Sequence, residues 1–169
     1  MSSPAATESL VIDLRIADPR WEILGDVDAL AARTLSHAAM IVKEAGQVSV
    51  LMTADSEMRD LNRQGRHLDM PTDALSFPSN GVEMPGQPRQ LGDIALGYEP
   101  ALCDAEAMSR PFEAHIGHLL IHGFLHLVGY DHIEPKDAAV MEPLEAEILA
   151  GLGWPDPYAS GPYTGEGKG

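Results

Sequence analysis

Between Pro111 and Val128 the chain runs without an internal proline and with only two glycines, Gly117 and Gly123, while His118, His122 and His126 recur at every fourth position. Ile116, Leu119, Leu120, Phe124 and Leu127 keep helical spacing through the same stretch and make a broad apolar face. A helix with such a face must be buried, and Gly129 fits as its terminator. Whatever else this chain forms has to pack around a central helix that carries imidazoles.

Five of the seven histidines, His115, His118, His122, His126 and His132, fall within eighteen residues. A pair at i, i+4 shares one helix face and can put two ring nitrogens on one zinc ion at about 2.0–2.1 Å. His118 and His126 stand about 12 Å apart along the axis at 1.5 Å rise per residue, so all three cannot easily share one ion. The glycine decides which pair is used. Gly129 lets the chain reverse, and His132 then swings back toward His122 and His126. HGFLHLVGYDH thus offers three neutral nitrogen ligands and leaves a tetrahedral vertex for water, the plan of a catalytic zinc site rather than a closed structural one. His118 is read either as a hydrogen-bond partner of the ligands or as a packing residue, and His115 and His37 as packing residues.

Around this helix the pattern mixes strands and helices. LVIDLRI (10–16) and QVSVLMT (47–53) read as strands. Between them Asp26 caps a helix that carries Val27, Leu30, Ala31, Thr34, Leu35, Ala38, Ile41 and Val42, with Gly46 as its terminating glycine. Thr53 or Asp55 caps the next helix, which has Glu57 in its first turn and fails near Gly65. Pro71 and Pro78 bracket a short extended piece, Ala74 to Phe77, joined by a loop rich in proline and glycine to a strand LGDIALGYE. A last helix starts at Pro135 and runs through Met141, Leu144, Ile148 and Leu149, with Glu142, Glu145 and Glu147 on a solvated face. These elements predict an α+β fold: a small mixed β-sheet of about four strands packed with helices, the histidine-bearing helix at its centre.

At 169 residues there is room for one core, expected over residues 9–158, with 159–169 a flexible tail rich in glycine. The single cysteine, Cys103, excludes an internal disulfide framework. No apolar stretch approaches the roughly 18 residues of a membrane span, and MSSPAATESL lacks the features of a secretory signal, so a soluble cytoplasmic protein is expected. Eleven basic residues against 26 acidic give a net charge of -15, which by itself argues against nucleic acid as a partner. The cations are unevenly spread: beyond Arg110 only Lys136 and Lys168 remain, whereas Arg59, Arg63 and Arg66 fall close together. They share roughly one helix face, either a phosphate track or a solvated face on which Arg59 and Arg63 pair with Glu57 or Asp60.

The histidines and Gly129 match the zinc-peptidase pattern HExxHxxGxxH, but Gly123 stands where the general-base glutamate belongs, which disfavours a peptidase. The sequence instead resembles the YbeY family, bacterial endoribonucleases of ribosomal RNA maturation. HGFLHLVGYDH follows that family's HGxLHLxGYDH, with His122, His126 and His132 on the zinc-ligand positions and His118 on a recurrent histidine. LNRQGRHLDMPTDALSFP resembles the family's stretch around a functional arginine, which falls on Arg66; LGDIAL and EAEILAGLGWPDPY match further blocks. The likeness spans residues 9–158 and departs at Gly65, where an aromatic residue is common.

The resemblance implies a single-strand-specific, zinc-dependent endoribonuclease with one ion per chain, acting in 16S rRNA 3′-end maturation and ribosome quality control. It also implies partners: precursor ribosomal RNA, the small ribosomal subunit with a ribosomal protein near the rRNA 3′ end, and a ribosome-associated GTPase. Arg66 suits the catalytic role, because a permanently charged guanidinium fits two phosphate oxygens and offsets charge developing in the transition state. Tyr130 and Asp131 are candidates for ordering the metal loop, and Asp73 and Ser76 for lining the cleft near Arg66. A metallopeptidase-like hydrolase and a non-enzymatic assembly factor with structural zinc are the competing readings.

Overall fold

The computed structural model describes residues 10–66, 73–79, 85–130 and 134–158. Four strands, β1 (Leu10–Ile16), β2 (Gly46–Thr53), β3 (Ala74–Pro78) and β4 (Gln90–Gly97), form one sheet in the order β1-β2-β4-β3. β1 and β4 both run parallel to β2, and β3 is antiparallel to β4, so the sheet is mixed as expected. Among the described residues five α-helices accompany it: α1 (Val27–Val42), α2 (Asp55–Arg66), α3 (Tyr98–Ala107), α4 (Phe112–Leu127) and α5 (Pro135–Gly151).

The period-2 alternation of the strands divides the apolar residues between two faces. Val48, Val50, Met52, Ile94 and Leu96 join the main core with Leu35 of α1, Leu120 and Phe124 of α4, and Ile148 of α5. On the opposite face Leu75 and Ala95 meet Met58 of α2, with Leu51, Leu61 and Phe77 around them. Central α4 is thereby packed between the sheet, α1, α3 and α5. Gly123 faces the sheet so closely that a Cβ there would stand 3.2–3.4 Å from the side chain of Ile94. The helix ends as expected, at Gly129 with a left-handed φ of 106°.

A buried clasp closes one end of the domain. Trp21, from a 3-10 turn at Pro19–Leu24, stacks on Phe112 and meets Tyr98 edge-on, and its indole N–H donates to the Thr53 carbonyl at 2.9 Å. Asp26 caps α1 through the Ala29 N–H, as its position predicts. Three expectations need correction. α1 ends on Lys43, itself left-handed at φ 61°, while Gly46 opens β2, where a Cβ would collide with the Arg89 carbonyl. The N–H of Asp55 is held by Glu99 at 2.9 Å and the Thr53 hydroxyl by Glu57 at 2.7 Å, so neither Thr53 nor Asp55 serves as a simple cap. The strand read through Glu99 stops at Gly97, where α3 begins without a sequence-based expectation.

Among the described residues no helix is long and apolar enough to cross a membrane. The expected tail, residues 159–169, lies outside the described residues.

Candidate metal centre

His122 and His126 lie one turn apart on α4, and their Nε2 atoms face each other at 3.1 Å. Two ligands held at 2.0–2.1 Å on a tetrahedral ion are about 3.3 Å apart, so this pair is spaced to share one cation. The other nitrogen of His122, Nδ1, lies 2.5 Å from Glu145 Oε2. A carboxylate accepts, so Nδ1 carries the proton and Nε2 keeps its lone pair toward His126. This carboxylate–imidazole pairing is the one that orients metal-bound histidines.

Glu145 comes from α5 and has no exposed surface. Its expected place on the solvated face is therefore wrong: Met141, Glu145, Ile148 and Leu149 share the buried side of the helix, and only Glu147 of the three glutamates is exposed. Burial raises its carboxyl, but hydrogen bonds from His118 and His122, the His118 charge and the Tyr158 hydroxyl outweigh that and hold it down at about 2. Tyr158 donates to Glu145 Oε1, and burial with the adjacent carboxylate pushes its phenol above the ordinary range.

His118 belongs to this network as a partner, the first of its two expected roles. Arg110, which has only donors, approaches His118 Nδ1 at 3.2 Å, so Nδ1 accepts and Nε2 bears the hydrogen, aimed at the Tyr158 oxygen at 3.3 Å. Burial lowers the His118 pKa, and nearby Arg110 acts in the same direction. His118, His122 and Glu145 also gather three ligand-type atoms within 4.8 Å. With Nε2 of His118 aimed at Tyr158 and Glu145 engaged by Nδ1 of His122, that trio fixes the orientation of the His122 ring, whose Nε2 faces His126.

Arg66 is the last residue of α2, the element whose Met58 packs under β3 and β4; its side chain, His132 and Asp131 lie outside the described residues. Arg63 pairs with Asp60 at 2.5 Å on an exposed face, which favours the solvated-face reading for it. Arg59 is exposed beside it. Asp73 faces buried His115 at 3.6 Å, and half-buried Ser76 pairs in register with Ile94. The Tyr130 N–H bonds to the Leu125 carbonyl at 2.9 Å and so helps to close the helix end. Gly123, at the peptidase glutamate position, directs its Cα substituent at Ile94 in the core, so a side chain there would not reach the His122–His126 pair.

Sequence reading missed Glu145, Tyr158 and Arg110. The first left a signal, since it stands four residues after Met141 and three before Ile148 on one helical stripe. The other two enter from outside the regular helices and left none.

The family model for Endoribonuclease YbeY matches residues 19–153. An Endoribonuclease YbeY of Bradyrhizobium diazoefficiens is 45% identical over 85% of this chain and 82% of its own length, and one of Chelativorans sp. is 45% identical over 94% and 96%. The solution structure of TM1509 from Thermotoga maritima superposes with a TM-score of 0.57 at 26% identity, covering 84% of this chain and 89% of that one. With a buried carboxylate–imidazole pair beneath two converging histidine nitrogens and this span of similarity, the chain belongs to the YbeY family of endoribonucleases.

Proposed function

We propose that the chain is a zinc-dependent, single-strand-specific endoribonuclease of ribosomal RNA processing, acting in 16S rRNA 3′-end maturation and ribosome quality control. His122, His126 and His132 hold one zinc ion per chain, and Arg66 is the catalytic cation. The observation that carries this reading is the 3.1 Å approach of the His122 and His126 Nε2 atoms above a buried Glu145. When bound, zinc supplies a Lewis acid that polarises a phosphoryl oxygen and lowers the pKa of water toward about 7.

Glu145 keeps the proton on His122 Nδ1 and so presents the lone pair of Nε2 outward. Arg66 grips two oxygens of the scissile phosphodiester and offsets the negative charge that grows on them. One P–O bond forms, to water or to a ribose hydroxyl, another breaks, and the departing oxygen takes up a proton. With a net charge of -15, the protein binds free RNA weakly and depends on presentation by its partners. Those partners are the small ribosomal subunit, a protein near the rRNA 3′ end and a ribosome-associated GTPase, met in the cytoplasm.

The test pairs metal analysis with RNA cleavage by nuclease-free preparations of the wild type, Arg66→Ala and His126→Ala. His126→Ala should lose zinc and activity together. Arg66→Ala should keep its zinc and lose activity by about 10²–10³-fold. Undiminished cleavage by either variant overturns the assignment.

A further inference from the structure

A second cluster gathers at the start of the same helix and shares no residue with the first. Asp73, just ahead of β3, Asp104 on α3 and His115 in the first turn of α4 bring two carboxylate oxygens and an imidazole nitrogen within 4.8 Å of one another. His115 is only 2% exposed, and among the described residues neither of its ring nitrogens has a hydrogen-bond partner. Its Nε2 instead points at Asp73 Oδ2 from 3.6 Å, beyond a good hydrogen bond. A buried imidazole with both nitrogens unsatisfied is costly, and here it is aimed between two acids.

The two acids act on each other. Asp104 shares a hydrogen bond with Asp73, and this bond, burial and the Asp73 charge push Asp104 up to about 6. Burial raises Asp73, but His115 and Asp104 outweigh it and leave its carboxyl below the ordinary value. Both acids and the buried imidazole thus meet at one point, with ligand-type atoms within 4.8 Å of one another.

We propose that Asp73, Asp104 and His115 form a second divalent-cation site, one that takes a first-row transition ion through one nitrogen and two oxygens. The donor set decides the class: imidazole suits zinc, iron and nickel, while paired carboxylates also admit manganese. Ligands at 2.0–2.2 Å on a tetrahedral ion lie about 3.3–3.6 Å apart, so the Asp73–His115 pair is already in range. The ion would neutralise both acids, satisfy His115 and tie the start of β3 to α3 and α4. His115 and His122 are seven residues apart, about 10 Å along the helix, so the two sites are separate.

The test titrates Co2+ into chelator-stripped full-length protein, with ions counted by elemental analysis and the visible absorption of the bound metal. Wild type should take two Co2+, Asp104→Asn one and His126→Ala one. Asparagine can still hydrogen-bond Asp73, so the fold should survive, and Asp73→Asn with far-UV circular dichroism provides a second check. Wild type that takes a single Co2+, or folded Asp104→Asn and Asp73→Asn proteins that keep two, overturns the second site. The loss of one ion from His126→Ala alone would leave the histidine centre standing while the Asp73–Asp104–His115 site falls.

Discussion

His122 presents Nδ1 to Oε2 of Glu145 at 2.5 Å, and Glu145 is fully enclosed. The consequence is testable without RNA. Glu145→Gln keeps the volume but removes the charge that holds the His122 tautomer, and it should weaken metal binding by about 10–100-fold. Competition with a coloured chelator measures this; equal affinity in the variant would remove Glu145 from the centre.

Gly123→Glu supplies the residue that a zinc peptidase would need, and it should fail as a peptidase. Its Cβ enters the 3.2–3.4 Å space against Ile94, and a carboxylate follows into the core. Overpacking costs about 1–3 kcal/mol. An unpaired buried charge adds further cost, so urea denaturation should show a large loss of stability, with no casein cleavage by whatever protein remains folded.

Trp21 carries both a packing and a polar role in the aromatic clasp. Trp21→Ala empties a fully buried site beside Phe112 and Tyr98 and should destabilise by about 3–5 kcal/mol. Trp21→Phe should cost less, because it retains a ring while losing the bond to Thr53, a contribution of about 1 kcal/mol. Denaturant midpoints at fixed slope separate the two.

Acid should loosen the contact between the Pro19–Leu24 turn and α3. Burial raises the Glu99 carboxyl, but Arg20 and the Asp55 N–H outweigh it and hold it below its ordinary 4.5; Arg20 lowers Asp18 as well. A carboxyl depressed in the folded state adds stability above its unfolded value, and that stability is lost as the pH falls through the folded value. Glu99→Gln should therefore flatten the fall in melting temperature between about pH 5 and pH 3. An identical acid limb in the variant would show that the contact contributes nothing to it. These groups are largely exposed, so the effect should also shrink with added salt.

Most of the scaffold was readable because its signals are local. Asp26, Gly129 and Pro135 are capping or breaking residues that act within one turn of where they stand, and each does so here. α3 escaped because Pro100 interrupts its start and small residues, Ala101 and Ala105, form its buried side, leaving a faint apolar pattern. The end of α1 misled because a lysine took the left-handed position normally given to glycine. At the centre, the His122–His126 pair was legible from i, i+4 spacing alone. Glu145 left only its place on the apolar stripe of α5, and its role becomes readable once a partner 23 positions away is known to face it.

The close seating of Gly123 on Ile94 bears on how an ion would be received. A rod clamped between sheet and neighbouring helices does not wait for a cation to be ordered, so the two imidazoles on it are arrayed in advance. Little chain entropy remains to be surrendered on loading, unlike in small zinc modules that fold only around their ion. Stripped and loaded protein should share one backbone along α4.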